Sequence, residues 1–250
     1  MTSDWLMRTE LLLGTDNLER LKQSNVLLVG LGGVGSWTAE FLVRSGIGNL
    51  TLVDSDRVDS TNINRQLPAT QKTVGMLKTD IMQQRLLEIN PELKLTVISN
   101  YIHDETIDEI LFPPYDLVID AIDTLSPKVW FLYFALKKGY RIVSSMGSGA
   151  RLDPTMVRIA DISKTKNCTL ARSVRKRLHR MGITTGFTAV YSEEMPMKHA
   201  VIENEGRNKK SMVGSVVFVT AAFACALSSY AIKTLTGSHE NLEQIVPPHS

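Results

Sequence analysis

Gly30-x-Gly32-x-x-Gly35 stands directly behind four apolar residues, 26–29, and ahead of a helical pattern that carries Val34, Trp37, Phe41 and Leu42. Glycines at this spacing let a strand turn sharply into a helix, bring backbone against a phosphate, and leave bare amides at the helix N-terminus to hold it. Taken alone, the pattern also fits a tight turn with no ligand. Asp54 ends the next apolar run, 50–53, about 20 residues after Gly35, where a carboxylate accepts hydrogen bonds from ribose hydroxyls. The two signals together predict a bound nucleotide.

The residues after Asp54 bear on which nucleotide. A dinucleotide domain built for hydride transfer runs from its second strand into a helix, whereas here 54–66 is dense in polar side chains and contains Asp56, Asn62, Arg65 and Gln66. Amide and guanidinium forks suit a triphosphate better than a nicotinamide, although a solvated loop has the same composition. Lys78 falls in the first turns of a helix expected over 74–89, a position unfavourable to a cation unless an anion lies near. A buried strand over 117–122 then delivers Asp120 and Asp123. Asp123 is placed for a metal such as Mg2+ with Asp120 as support, or for capping the next helix.

A third concentration of chemistry is basic. Lys164, Lys166, Arg172, Arg175, Lys176, Arg177 and Arg180 follow one another with no acidic residue between 164 and 180. Over 170–181, Leu170, Val174, Leu178 and Met181 form one apolar stripe and the cations surround it, which favours an anionic partner such as RNA over a merely solvated face. No known RNA-binding module accompanies it.

The elements that must position these residues read as α/β. A helix over 8–22 interrupted at Gly14 precedes the first strand; helices are expected at 33–45, 74–89, 104–111, 127–138 and 170–181, and strands at 93–98, 117–122 and 141–145. A strand at 156–161 is expected to be antiparallel, another lies at 187–191, and 192–211 reads as a mobile crossover. The uncharged stretch 213–232 reaches the length of a membrane span but is rich in small and hydroxyl residues, so a core or interface helix is expected there. Hydrophobic content of 43%, charged content of 22% and a net charge of +2 are those of an ordinary soluble protein. Cys168 and Cys225 are too few for a disulfide framework or a four-cysteine zinc site and fit a reducing cytoplasm. Cys168, beside the basic helix, is expected to be the more reactive, and Cys225 to be inert packing.

Five motifs in order, Gly30-x-Gly32-Gly33-x-Gly35, Asp54-x-Asp56, Asn62-x-Asn64-Arg65-Gln66, Gly75-x-x-Lys78 and Asp120-Ala121-Ile122-Asp123, resemble the ThiF/MoeB/HesA superfamily, the fold of ubiquitin-activating enzymes. The resemblance implies a Rossmann-like, mostly parallel sheet with helices on both faces and an antiparallel C-terminal extension. It implies one ATP-binding domain over 1–237, with a nucleotide half at 25–150, a substrate half at 151–237 and a flexible tail at 238–250. It also implies ATP-dependent adenylylation of a carboxylate. Gly30, Gly32, Gly33 and Gly35 would hold the phosphates and Asp54 the ribose, with Asp56, Gln66 and Asp120 lining the site. Asn62, Arg65 and Lys78 would contact the triphosphate, and Asp123 would hold Mg2+. Members are homodimers in which an N-terminal arginine enters the neighbouring site, and Arg8 matches that element.

Three further stretches, 118–128 with Ser126-Pro127-Lys128, Asp153-Pro154 with 160–165, and 170–178, resemble the tRNA threonylcarbamoyladenosine dehydratase branch of that superfamily. That branch implies tRNA as partner, activation of the threonyl carboxylate beside the anticodon, and ring closure with loss of water. A monovalent cation and a cysteine-desulfurase sulfur-relay protein are further expectations of the branch. The alternative is an adenylyltransferase for a ubiquitin-like sulfur carrier, which the missing Cys-x-x-Cys pairs disfavour. An NAD-dependent oxidoreductase and a non-enzymatic RNA- or membrane-binding module fit the polar run and Lys78 less well. The protein is expected in the cytoplasm, with peripheral or inner-membrane association through 213–232 as the lesser expectation.

Overall fold

Near-continuous burial along the parallel strands builds the molecule around one seven-stranded sheet, described in a computed structural model over residues 4–101, 104–202 and 212–238. The strands are β1 (Asn25–Val29), β2 (Asn49–Val53), β3 (Lys94–Ile98), β4 (Leu117–Asp120), β5 (Ile142–Ser145), β6 (Val157–Asp161) and β7 (Thr188–Ser192). Their order is β3-β2-β1-β4-β5-β7-β6, so β3 and β6 form the edges. Every neighbouring pair is parallel except β6 with β7. A two-stranded antiparallel sheet joins β8 (Val201–Ile202) to β9 (Met212–Val213). Of the crossover 192–211, expected to be mobile, Ser192 closes β7, Lys198–Ala200 form a helical turn and Val201–Ile202 form β8; its residues 203–211 and the tail from 239 to 250 lie outside the described residues.

Helices cover both faces: α1 (Met7–Leu13), α2 (Thr15–Gln23), α3 (Gly35–Arg44), α4 (Lys78–Ile89), α5 (Asp104–Ile110), α6 (Leu125–Lys137), α7 (Thr169–Arg180) and α8 (Val217–Thr236). Successive strand residues point to opposite faces. Val26 and Leu28 therefore join α3, α4 and α8 in one apolar cluster, while Leu27 and Val29 join α5, α6 and α7 in the other. β1 and β4 run at the centre with almost every residue buried, as parallel strands covered on both faces must be.

Three expectations of helix extent are corrected, each by backbone chemistry. The N-terminal helix is two helices, because Gly14 at φ 84 and ψ 156 leaves the helical region. The helix expected from residue 74 starts at Lys78, since Gly75 has φ 87 and the preceding chain is a series of turns. The long apolar segment becomes helical only at Val217, and Met212–Val213 pair as β9 instead. α8 is long and apolar enough to cross a membrane by length and composition. It packs against α2, α3 and the sheet, and buries Val219, Phe223, Ala224, Leu227 and Ala231.

On the face shared by α3 and α4, Glu40 is buried and accepts from Arg44 Nε at 2.7 Å, Arg85 Nε at 2.8 Å and Arg85 Nη2 at 3.1 Å. Burial alone would raise its pKa, but the hydrogen bonds and charges of Arg85 and Arg44 outweigh that, and the carboxyl sits below its ordinary value of 4.5. A carboxyl held low in the folded state contributes stability that is full above its unfolded pKa and is lost as pH falls through the folded value. Glu40→Gln is expected to cost about 1–2 kcal/mol at neutral pH, because both arginines are half exposed. In urea titrations the deficit should shrink below pH 4.5.

Candidate nucleotide and substrate site

From β1 the chain builds β2 and β3 on one side, and from β4 it builds β5 and β7 on the other, so the sheet has its switch point between β1 and β4. Ligands of open parallel sheets bind outside the strands' carboxyl ends at that point. Gly30–Gly33 after β1, Asp54 after β2 and Ala121–Asp123 after β4 all lie there.

The glycines serve different ends. A Cβ on Gly35 would stand 1.8 Å from the Gly30 carbonyl oxygen, and one on Gly30, at φ 94, would stand 2.8 Å from the Ala121 carbonyl oxygen. Both are required for β1, α3 and the chain after β4 to meet. Gly33 lies under Thr220 and the Arg65 stem, at 3.1 and 3.3 Å from the corresponding point. Gly32 is different: nothing comes nearer than the Gln66 amide nitrogen at 3.9 Å. The protein itself has no steric need for glycine at 32, and a phosphate against the loop would.

Around this opening the polar residues converge. Asp54 accepts from the Leu31 amide at 2.6 Å and from the Asp56 amide at 2.7 Å, which turns its carboxylate toward the glycine loop. Burial pushes its pKa up, against the opposing charge of Lys78 and the two amides. Lys78 begins α4, is 4% exposed, and its Nζ lies 2.9 Å from Asp56 Oδ2. Gln66 is 8% exposed and its Oε1 has no partner among the described residues, so a buried amide beside Gly32 awaits a donor. Arg65 is anchored through its carbonyl by Trp37 Nε1 at 3.2 Å, and its Nη1 donates to Thr61 and Asn64 oxygens, each at 2.9 Å. Asn62 spends its side-chain oxygen on the Asp59 amide in a reciprocal cap, which leaves its amino group as the end that could face a ligand.

Asp120 and Asp123 are set apart. Asp123 is exposed and accepts from Thr124 Oγ1 at 3.0 Å. Among the described residues no three metal-ligating side chains cluster. One open carboxylate suits Mg2+ already carried by phosphates, so Asp123 fits that ion. Asp120 is fully buried instead: Lys128 Nζ at 2.6 Å, Ser144 Oγ at 2.6 Å and the Ile122 amide at 3.0 Å occupy its carboxylate. Lys128 also donates to the Ile122 carbonyl at 3.0 Å. The pair therefore fixes the turn that presents Asp123 and does not itself reach the crevice. Arg8 is exposed on α1, whose contacts are with α2 and the turn before it. Leu6 packs at Gly46, by the opposite end of the sheet, so Arg8 takes no part in its own chain's site.

The basic helix divides in two. Arg175 reaches the Ile162 and Thr165 carbonyls and the Thr165 hydroxyl, Lys166 pairs with Glu193 at 2.9 Å, and Arg177 donates to Ser126 Oγ at 2.8 Å. These three hold structure. Lys164, Arg172, Lys176 and Arg180 are exposed, with no ion-pair partner among the described residues. Arg177 touches α6 three residues beyond Asp123, which ties α7 to the start of that helix.

The cysteine expectation is reversed. Cys168 is buried and caps α7, with Sγ 3.5 Å from the Ala171 amide, whereas Cys225 is the exposed thiol. Lys128 belongs to the stretch that resembles the dehydratase branch, but the sequence assigns it no role; its place on the apolar stripe of Leu125, Val129 and Leu132 is the signal of its burial. Nothing in the local pattern singled out Arg151, which is taken up below.

The ThiF family profile matches residues 6–247. The chain belongs to the ThiF family. Among curated relatives, the tRNA threonylcarbamoyladenosine dehydratase of Bacillus subtilis (strain 168) is 44% identical over 190 residues, 76% of this chain and 75% of the relative. The enzyme of the same name from Escherichia coli (strain K12) is 32% identical over 245 residues, 91% of each chain. The crystal structure of the E. coli dehydratase in complex with ATP superimposes with a TM-score of 0.86 at 32% identity, covering 97% of this chain and 99% of that one.

For a ThiF-family loop built this way, two alanine substitutions separate fold from ligand. Gly35→Ala should destabilise by about 4 kcal/mol or abolish folding, since backbone must move. Gly32→Ala should leave the melting temperature unchanged and weaken ATP at least about tenfold, on the order of 1.4 kcal/mol, by calorimetry.

Proposed function

We propose that the protein is an ATP-dependent tRNA threonylcarbamoyladenosine dehydratase. The observation that carries this reading is a glycine loop with room for a phosphate at Gly32 in a chain whose α7 packs on α6 through Arg177 and Ser126 and leaves Arg172, Lys176 and Arg180 exposed. A nucleotide cradle alone fits any carboxylate-activating member of the family. One accompanied by a helix with exposed Arg172, Lys176 and Arg180 fits a carboxylate attached to a polyanion. The dehydratases similar to this chain carry that substrate in their name.

In the proposed reaction an oxygen of the threonyl carboxylate attacks the α-phosphorus of ATP and pyrophosphate leaves. An atom of the same threonylcarbamoyl group then attacks the acyl carbon, AMP departs with the former carboxylate oxygen, and a proton is lost. The sum is ring closure with removal of one water. The second nucleophile belongs to the substrate, so the protein needs no acyl-carrying cysteine, in keeping with the burial of Cys168. Asp54 orients the ribose, the amides of the glycine loop meet the phosphates, and Lys78 and Arg65 offset the charge that builds on the triphosphate as pyrophosphate leaves. Mg2+ held by Asp123 would neutralise phosphate charge.

Self-association completes this reading. Leu11 and Leu12 on α1 are 81% and 83% exposed, and Arg8 lies on the same helix. Apolar side chains so open on a helix with no buried residue mark a surface for a second copy, which would bring Arg8 to the neighbouring crevice. With α8 packed against helices and sheet, the reading is of a cytoplasmic enzyme.

Incubation with ATP and threonylcarbamoyl-modified tRNA should lower the nucleoside mass by one water, read by mass spectrometry. Retention of the full mass, together with acyl-adenylate formation on a carrier protein ending in Gly-Gly, would replace this reading with carrier activation. Lys78→Ala and Arg65→Ala should each reduce turnover about 100-fold or more. Lys176→Glu with Arg180→Glu should weaken tRNA binding and lower the slope of log affinity against log salt by about 0.9 for each phosphate no longer neutralised.

A further inference from the structure

Arg151 is the most buried arginine among the described residues, 4% exposed, and every polar group it touches there is a main-chain carbonyl. Nη1 donates to Gly147 at 2.7 Å and Gly149 at 2.9 Å, Nη2 to Asn167 at 2.9 Å, and Nε to Glu194 at 3.3 Å. The Glu194 carboxylate faces the amides of Leu152 and Asp153 instead. The guanidinium thus keeps its charge inside a cage of carbonyl dipoles.

The three segments it joins all lie at the carboxyl end of the sheet: the loop after β5, the turn after β7, and the chain entering α7. The two non-glycine residues with positive φ among those described, Ala150 at 58° and Asn167 at 54°, stand directly before Arg151 and at one of its acceptors. Left-handed backbone at such residues is strained and persists where the surroundings impose it. Here the imposed geometry turns carbonyls onto one cation.

The tie extends toward the nucleotide. Gly149 packs on Val213, the Ala150 amide donates to the Gly214 carbonyl at 2.7 Å, and Asn64 donates to the Ser215 carbonyl at 2.8 Å. The loop held by Arg151 is therefore one wall of the crevice, linked by a single strap to the neighbour of Arg65.

We propose that Arg151 is a positioning residue of the acyl half of the site, whose guanidinium locks this wall so that the activated carboxylate and its internal nucleophile meet. This rests on the dehydratase reading above. Displacement of reacting groups by about 1 Å costs on the order of 100-fold in rate.

The test uses the full chain as Arg151→Ala and Arg151→Lys. Arg151→Ala should bind ATP with the affinity of the parent while turnover of threonylcarbamoyl-tRNA falls about 100-fold. Methylguanidinium should bind Arg151→Ala saturably in calorimetry, leave the parent untouched, and restore turnover along the same curve. Parent-like turnover by Arg151→Ala overturns the inference, as does loss of ATP and tRNA turnover together with no binding or rescue by methylguanidinium. Should Arg151→Ala fail to fold, Arg151→Lys decides: reduced turnover with parental ATP affinity supports the role, and parental turnover overturns it. A parent that leaves the modified tRNA unchanged rejects the dehydratase reading, and methylguanidinium binding to the vacated cage still decides whether the cage exists.

Discussion

The close approach of Gly30, Gly35 and Ala121 is the constraint on which the rest of the structure depends. The Gly30 carbonyl occupies the space where any side chain at 35 would begin, and the Ala121 carbonyl does the same for Gly30. Because no Cβ intervenes, α3 can start against the end of β1 while the chain leaving β4 passes beside it. That contact sets the switch point of the sheet, and so the place where the crevice opens. The Gly30 amide on the Val53 carbonyl and Asp54 on the Leu31 amide extend the same junction to β2. The positions of Gly32, Asp54 and Asp123 thus descend from one packing event between three backbone segments.

A second layer, electrostatic, fixes what that junction presents. Asp120 and Lys128 form an ion pair with neither side chain exposed, at 2.6 Å. Removing two charges from water is costly, and attraction compensates only when the remaining lone pairs and protons are also satisfied. Ser144, the Ile122 amide and the Ile122 carbonyl supply those partners. The outcome is a rigid turn between β4 and α6, with Asp123 at its open side. Arg151 repeats the principle further along the crevice with carbonyls in place of a carboxylate.

Patterns on one strand or one helix face were legible in the sequence. The run 26–29 into the glycines, Asp54 after the second strand, and the antiparallel strand near 156–161 could all be read from periodicity and spacing. Features that require two distant segments were not. Lys128 looks like a surface lysine until the register of β4 puts Asp120 under it. Arg175, Lys166 and Arg177 look like the other cations of their run, and only the tertiary structure gives them to Thr165, Glu193 and Ser126. The cysteines were misjudged because local company is a poor guide to depth: the thiol among charges caps a buried helix start, while the one among alanines faces outward. Gly14 and Gly75 show the same limit, since a glycine marks where a helix can break and only the surroundings decide that it does.

The sheet's two edges have their own bearing on how copies of the chain meet. β3 is short and turns Lys94 and Thr96 outward, and β6 carries exposed Arg158 in an antiparallel pairing. Charged side chains on brief rim strands discourage another chain from adding itself to the ladder. Growth by strand addition, which leads to open-ended stacks, is thereby blocked at both rims. A helical surface offers a different geometry, in which a two-fold arrangement closes on itself and stops.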